Sequence, residues 1–124
     1  ALYDGVKVYG STCHKMLARV DSGEIYDVRR FDVPENCSVD ELQQLTHATM
    51  LQQLYEIIPR LIAQQLPPNG ERWHRAPTTR HDFETLRQIP TDSSPQEVKR
   101  RVAAFDHPDH DGAYIELHGY RFSR

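Results

Sequence analysis

Thr12, His14 and Asp21 bring a hydroxyl, an imidazole and a carboxylate close together near the start of the chain. They lie within Gly10-Ser11-Thr12-Cys13-His14 and Arg19-Val20-Asp21-Ser22-Gly23-Glu24-Ile25. A carboxylate beside an imidazole can orient the ring, hold a water and relay a proton, which is general acid–base chemistry. Asp21 opens an Asp-Ser-Gly triplet, three residue types that favour turns. A carboxylate on a turn between extended segments is held rigidly and stays open to substrate. Each residue also has a plainer reading. Asp-Ser-Gly makes ordinary turns, a strand histidine is commonly a hydrogen-bonded structural one, and a strand threonine satisfies its own hydroxyl. Cys13 alternates away from Thr12 and His14, so it is expected in the core and inert.

The elements that must position these groups follow from local pattern. Val6–Tyr9 and Thr12–Met16 read as extended, and Ile25–Val33 as a second strand. Ser38-Val39-Asp40-Glu41 is a capping box with Ser38 as N-cap and Glu41 at N3. Leu42, Leu45, Met50, Leu54, Ile57, Ile58, Leu61 and Ile62 then recur at helical spacing, so one long helix is expected to about Gln65, kinked or broken at Pro59. Pro67-Pro68-Asn69-Gly70 is a stop and a turn. Residues 71–93 read as loop with a short helical turn near Phe83–Ile89. Ser94 caps a further helix with Pro95 at N1 and an apolar stripe of Val98, Val102 and Phe105. His107–Gly112 is a polar loop, and Ala113–Leu117 with Tyr120–Phe122 form a hairpin about His118-Gly119.

Composition narrows the function class. The 124 residues suffice for one domain, but 38% hydrophobic content and a mean hydropathy of −0.70 are thin for a self-sufficient α/β unit. A net charge of −3 argues against broad nucleic-acid binding. No 18-residue apolar run or signal-peptide pattern is present, so no membrane partner is expected. Cys13 and Cys37 make no disulfide framework, which suits the cytoplasm.

Two more clusters carry chemistry-bearing residues. His107-Pro108-Asp109-His110-Asp111 has metal-ligand types but lacks a second spaced pair, so a solvated loop and no metal are expected. Arg72-Trp73-His74-Arg75, with Arg80, could stack a nucleobase and pair a pyrophosphate. Alternatively, Trp73 caps the long helix and the arginines are solvated. Lys99-Arg100-Arg101 is the polar face of its helix.

The two opening segments resemble the formyltetrahydrofolate-dependent formyltransferases, which carry a G-x-T-x-H element and then a D-x-G-x-I element at this spacing. Ala1-Leu2-Tyr3-Asp4-Gly5 resembles the A-I-x-x-G before the first element, and Val28–Val33 the strand after the second. Arg80–Ile89 and Arg101–Phe105 resemble the tail of the members that formylate nucleotide-linked amino sugars. The resemblance implies an α/β fold: the C-terminal part of a Rossmann-like catalytic domain over residues 1–66, strands plus one long helix. Residues 67–124 would be an extension with a short helix and a β-hairpin.

It further implies an N-formyltransferase that moves a formyl group from formyltetrahydrofolate to the amine of a nucleotide-linked amino sugar, feeding surface polysaccharides such as O-antigen. The attacking amine must be neutral, the oxyanion must be stabilised, and a proton must reach the departing nitrogen. Asp21 would position a water and an upstream histidine, with His14 orienting Asp21 and Thr12 in the same shell. The backbone of Val20, Asp21, Ser22 and Gly23 would lie along the pterin, with Gly23 allowing the tight turn. Trp73, Arg75 and Arg80 would hold the nucleotide.

The family's catalytic Asn and His lie upstream of these residues, so the chain reads as a C-terminal half that needs an N-terminal one and is inactive alone. Homodimers occur in the family, so a homodimer is a further expectation. A methionyl-tRNA formyltransferase is the nearer alternative, although the roughly 50 residues after Gly70 are too few for its tRNA-binding barrel. A non-catalytic interaction module using the long helix is the other.

Overall fold

The computed structural model describes residues 1–123. In chain order the elements are β1 (Val8–His14), β2 (Ile25–Asp32), α1 (Val39–Ile62), α2 (Arg80–Arg87), α3 (Pro95–Phe105), β3 (Tyr114–Leu117) and β4 (Tyr120–Ser123). They fall into two compact units. One is Val8–Asp32 with Gln44–Pro77; the other is Ala1–Lys7 with Val33–Gln43 and the chain from Thr78 onward. This is a mixed α/β chain with two separate two-stranded sheets.

In the first unit β1 and β2 pair antiparallel from Val8↔Asp32 to Cys13↔Asp27. The register then shifts, and His14 faces Ile25 with Tyr26 passed over. Such a bulge re-aims the side chains at a strand end. Gly10 is required by closeness: a Cβ there would sit 2.0 Å from the Arg29 carbonyl oxygen.

α1 starts as its capping box dictates, with the Glu41 amide donating to Ser38 Oγ at 3.1 Å and the Ser38 amide to Glu41 Oε2 at 2.8 Å. It runs unbroken through Pro59, contrary to the expected break. Pro59 lies in the last turn, and the carbonyl it leaves unpaired belongs to Tyr55, an exposed residue where water can serve. The helix also ends at Ile62, before the double proline. Gln64 turns left-handed at φ 54, and the Gln65 amide reaches the Arg60 carbonyl at 2.8 Å while that of Gln64 reaches Leu61. That is a Schellman closure with glutamine in the usual glycine position.

The inner face of α1 in this unit is set by Gln53 and Ile57, each 3% exposed. Gln53 donates to the Asp27 carboxylate at 3.0 Å and carbonyl at 3.2 Å, and accepts from Ser11 Oγ at 2.7 Å. A buried amide thus ties the helix to both strands. Most of the predicted apolar stripe faces outward: Met50, Leu54, Ile58, Leu61 and Ile62 are all exposed.

In the second unit Ile89, Phe105 and Ala113 form a small core, flanked by Leu86, Val98, Val102 and Ala104. α2 is a full eight-residue helix where a single turn was expected. Its start is a second capping box, Thr79 with Asp82. Arg101 closes its other end by donating to the carbonyls of Thr85, Leu86 and Gln88 at 2.8–3.2 Å, so it is no mere solvated face. α3 is capped by Ser94 with Pro95 at N1, as expected. The β3–β4 hairpin turns on His118 and Gly119, both at positive φ.

Candidate active site

Val20, Asp21, Ser22 and Gly23 lie on the loop Lys15–Glu24, which joins β1 to β2, and His14 and Trp73 contact Lys15 and Gly23 of it. Its neck closes through the Lys15 amide and Glu24 carbonyl at 2.9 Å. At its tip the Ser22 hydroxyl donates to the Arg19 carbonyl at 2.7 Å. Asp21 sits there at φ 48, a left-handed conformation that aspartate tolerates better than most residues.

Gly23 does not supply the turn's unusual backbone, as the resemblance implied; Asp21 does. Gly23 instead lets two backbones meet, because a Cβ would lie 1.8 Å from the Lys15 carbonyl oxygen.

His14 is half-buried at the end of β1, and its Nδ1 lies 3.0 Å from the Lys15 carbonyl. Since a carbonyl only accepts, Nδ1 carries the proton of this hydrogen bond and Nε2 is left free for another partner. The hydrogen bond of this ring goes to Lys15 and not to Asp21. Thr12 is exposed, two residues earlier on the strand, opposite Val28. Cys13 is only half-buried, short of the expected core position. Its thiol is nonetheless pushed up, first by burial and then by the negative Asp27, so it stays protonated and unreactive.

Trp73 departs from the expected exposed platform. It is half-buried, its Nε1–H donates to the Gly23 carbonyl at 2.8 Å, and its ring meets His14 edge-to-face at 4.8 Å. Arg75 is exposed in the same unit. Arg80 belongs to the other unit, at the first turn of α2, where it lines a cleft with Phe83, Glu84, Arg87, His110 and Asp111. That cleft is mixed in charge, because Arg87 pairs with Glu84 at 3.3 Å and lies 4.0 Å from Asp111. His107 and His110 stack at 4.7 Å, and His107 Nε2 meets Gln43 at 2.9 Å. Among the described residues no His, Cys, Asp or Glu group is arranged to hold a metal.

No protein-family model matches the sequence, and no curated protein matches it significantly. Solved structures do. A sugar N-formyltransferase from Shewanella overlays 99% of this chain with a TM-score of 0.86 at 17% identity. A 4-N formyltransferase from Francisella tularensis overlays 99% with a TM-score of 0.79 at 18% identity. This chain has the fold of the C-terminal portion of a formyltransferase domain.

The formyltransferase fold extends to more distant neighbours. HypX from Aquifex aeolicus, in complex with tetrahydrofolic acid, matches over 97% of this chain and 21% of its own, at 17% identity and a TM-score of 0.70. A methionyl-tRNA formyltransferase from Clostridium thermocellum matches over 97% of this chain and 52% of its own, at 17% identity and a TM-score of 0.60. The chain spans about half the length of the Shewanella and Francisella proteins, 51% and 52%.

The turn has a feature that fits a folate ring. Among the described residues the main-chain groups of Val20 and Asp21 take no hydrogen-bond partner, and the Val20 side chain is 67% exposed. An unpaired peptide edge beside an apolar side chain suits a flat heterocycle with donors and acceptors on its rim. Sequence reasoning found this turn, but missed Gln53 and the inward role of Trp73. A lone glutamine in a helix carries no local signal, whereas tryptophan beside arginines suggested an exposed ring.

Proposed function

We propose that this chain provides the second half of a folate-dependent N-formyltransferase acting on a nucleotide-linked amino sugar. The observation that carries the reading is the overlay of nearly the whole chain on a sugar N-formyltransferase with a TM-score of 0.86 and on a 4-N formyltransferase with 0.79, against 0.60 for the methionyl-tRNA enzyme. On this reading residues 1–66 belong to the catalytic domain and 67–124 to a substrate-side extension. The two free thiols fit a cytoplasmic enzyme, and no helix of the described residues is long and apolar enough to cross a membrane. A homodimer remains part of the proposal.

Val20–Gly23 would hold the pterin through the open peptide edge, and formyltetrahydrofolate supplies the formyl group when bound. Asp21 orients a water and helps relay the proton shed by the amine after attack to the departing nitrogen. His14 offers Nε2 from the end of β1, beside that loop, and Thr12 offers a hydroxyl from β1. An Asn and a His from outside residues 1–124 complete the constellation by stabilising the oxyanion. We assign Arg75, in one unit, and Arg80, in the other, each separately as a cation for phosphate, and Trp73 as a contact to the nucleotide.

The test is release of tetrahydrofolate by the full protein with formyltetrahydrofolate and a panel of acceptors: amino-sugar nucleotides, glycinamide ribonucleotide and methionyl-tRNA. Turnover with one sugar nucleotide is expected. Turnover confined to methionyl-tRNA would replace the substrate assignment, and silence with a folded, folate-binding protein would remove the enzymatic one in favour of an interaction module.

A further inference from the structure

Trp73 is distant in sequence from the candidate turn, yet its indole touches both ends of the loop that carries Asp21. The Nε1–H donates to the Gly23 carbonyl at 2.8 Å, on the side where the loop enters β2. The ring stands edge-to-face against His14 at 4.8 Å and 89°, on the side where β1 ends. The segment carrying Trp73 is pinned beside the same strand by the Asn69 amide, which donates to the Ile25 carbonyl at 2.9 Å.

Among the described residues the loop has few other ties, one of them the His14 ring on the Lys15 carbonyl. Its closures are the Lys15–Glu24 neck, the Ser22–Arg19 turn and the close approach of Gly23 to Lys15. Gly23 is therefore fixed from two directions, by the Lys15 backbone and by the indole. Asp21 is two residues away. A half-buried aromatic ring with a directed N–H is a stiff support, since tryptophan has only two side-chain torsions to freeze.

We infer that Trp73 is a positioning residue: through its N–H on Gly23 and its ring on His14 it sets where Asp21 and His14 point. The inference rests on the formyl-transfer reading, and it adds a function for the 67–77 segment beyond meeting the nucleotide. A misplacement of about 1 Å in such a group can cost up to a hundredfold in rate.

Trp73→Phe keeps an aromatic ring and removes only the N–H. In the full protein it is expected to lower kcat about tenfold, with KM for the amino-sugar nucleotide within about twofold and the melting temperature little changed. Trp73→Leu, which loses the ring too, is expected to lower kcat further. A ring that served only as a nucleotide platform would instead raise KM in Trp73→Leu and leave kcat intact in Trp73→Phe, which would overturn the inference. A second measurement does not depend on any variant folding. The Trp73 indole proton should exchange slowly with water and show a nuclear Overhauser contact to the His14 ring; fast exchange with no such contact also overturns it. A wild-type protein inactive with every acceptor overturns the formyl-transfer reading, whereas an active wild type with unchanged Trp73→Phe turnover overturns this inference alone.

Discussion

Asp21 and Gly23 stand two residues apart but respond to substitution for different reasons. Asp21→Asn keeps the shape and the left-handed backbone, since asparagine tolerates φ 48 as well as aspartate. It removes the charge, so on the proposed function turnover of the full protein should fall about a hundredfold or more while the thermal midpoint holds, as paired activity and melting assays would show. Gly23→Ala should do the reverse in origin. A methyl 1.8 Å from the Lys15 carbonyl forces the two backbones apart, costing about 1–3 kcal/mol by urea denaturation and reducing activity only as a consequence. Both expectations turn on details of one loop, and only the first was legible in the residue types. The close approach of Lys15 to Gly23 has no local signal.

The elements are held to one another by polar groups as much as by apolar ones. In the first unit Gln53 reaches Ser11 and Asp27, Asp27 accepts from Arg29 at 2.7 Å, and Arg29 pairs with Glu56 at 2.7 Å. Gln53→Leu leaves these partners short of a donor and an acceptor and should cost about 1–3 kcal/mol in urea denaturation. Asp27 also predicts a pH dependence. Burial alone would push its carboxyl up, but hydrogen bonds from Arg29 and Gln53 outweigh that and hold it below its ordinary value. Arg30 holds Glu71 low by hydrogen bonding, and Arg101 with Tyr3 does the same to Glu97. A carboxyl held low in the folded state stabilises it above the unfolded value, near pH 4, and that stabilisation is lost as acid protonates the folded form. The stability of the protein should therefore fall on acidification below about pH 4.5, and less steeply in Gln53→Leu. A flat acid profile in denaturant titrations would contradict the network.

Over the molecule as a whole, the outward face of α1 is the most consequential surface. Leu54 and Ile58 are 47% and 40% exposed, and Met50 and Leu61 lie near them in exposure. The chain spans about half of the Shewanella and Francisella formyltransferases it overlays. Residues 1–124 produced alone should bind an apolar dye such as anilinonaphthalene sulfonate without loss of helix content. Leu54→Gln with Ile58→Gln should weaken that binding and leave the helical circular dichroism unchanged. On the proposed function, the same residues alone should release no tetrahydrofolate whatever stands at position 21, because that reading takes the oxyanion-stabilising Asn and His from outside residues 1–124.

Much of this architecture could be read without coordinates. Ser38 with Glu41, Ser94 with Pro95, and His118-Gly119 each act within a few residues, so caps and turns were legible as written. The same capping logic was present in Thr79 with Asp82, obscured by the polar residues around it. Helix periodicity placed α1, a few residues too long, and found the buried Leu42 and Ile57, but missed its inner side elsewhere, because the residue tied to both strands is Gln53 while Met50, Leu54, Ile58 and Leu61 face outward. Composition cannot reveal that, since a buried amide is tolerated only where its partners, here Ser11 and Asp27, come from distant strands. Trp73 makes the same point. Its partners Gly23 and His14 are far away in sequence, and only the folded chain determines that its N–H points inward to the turn.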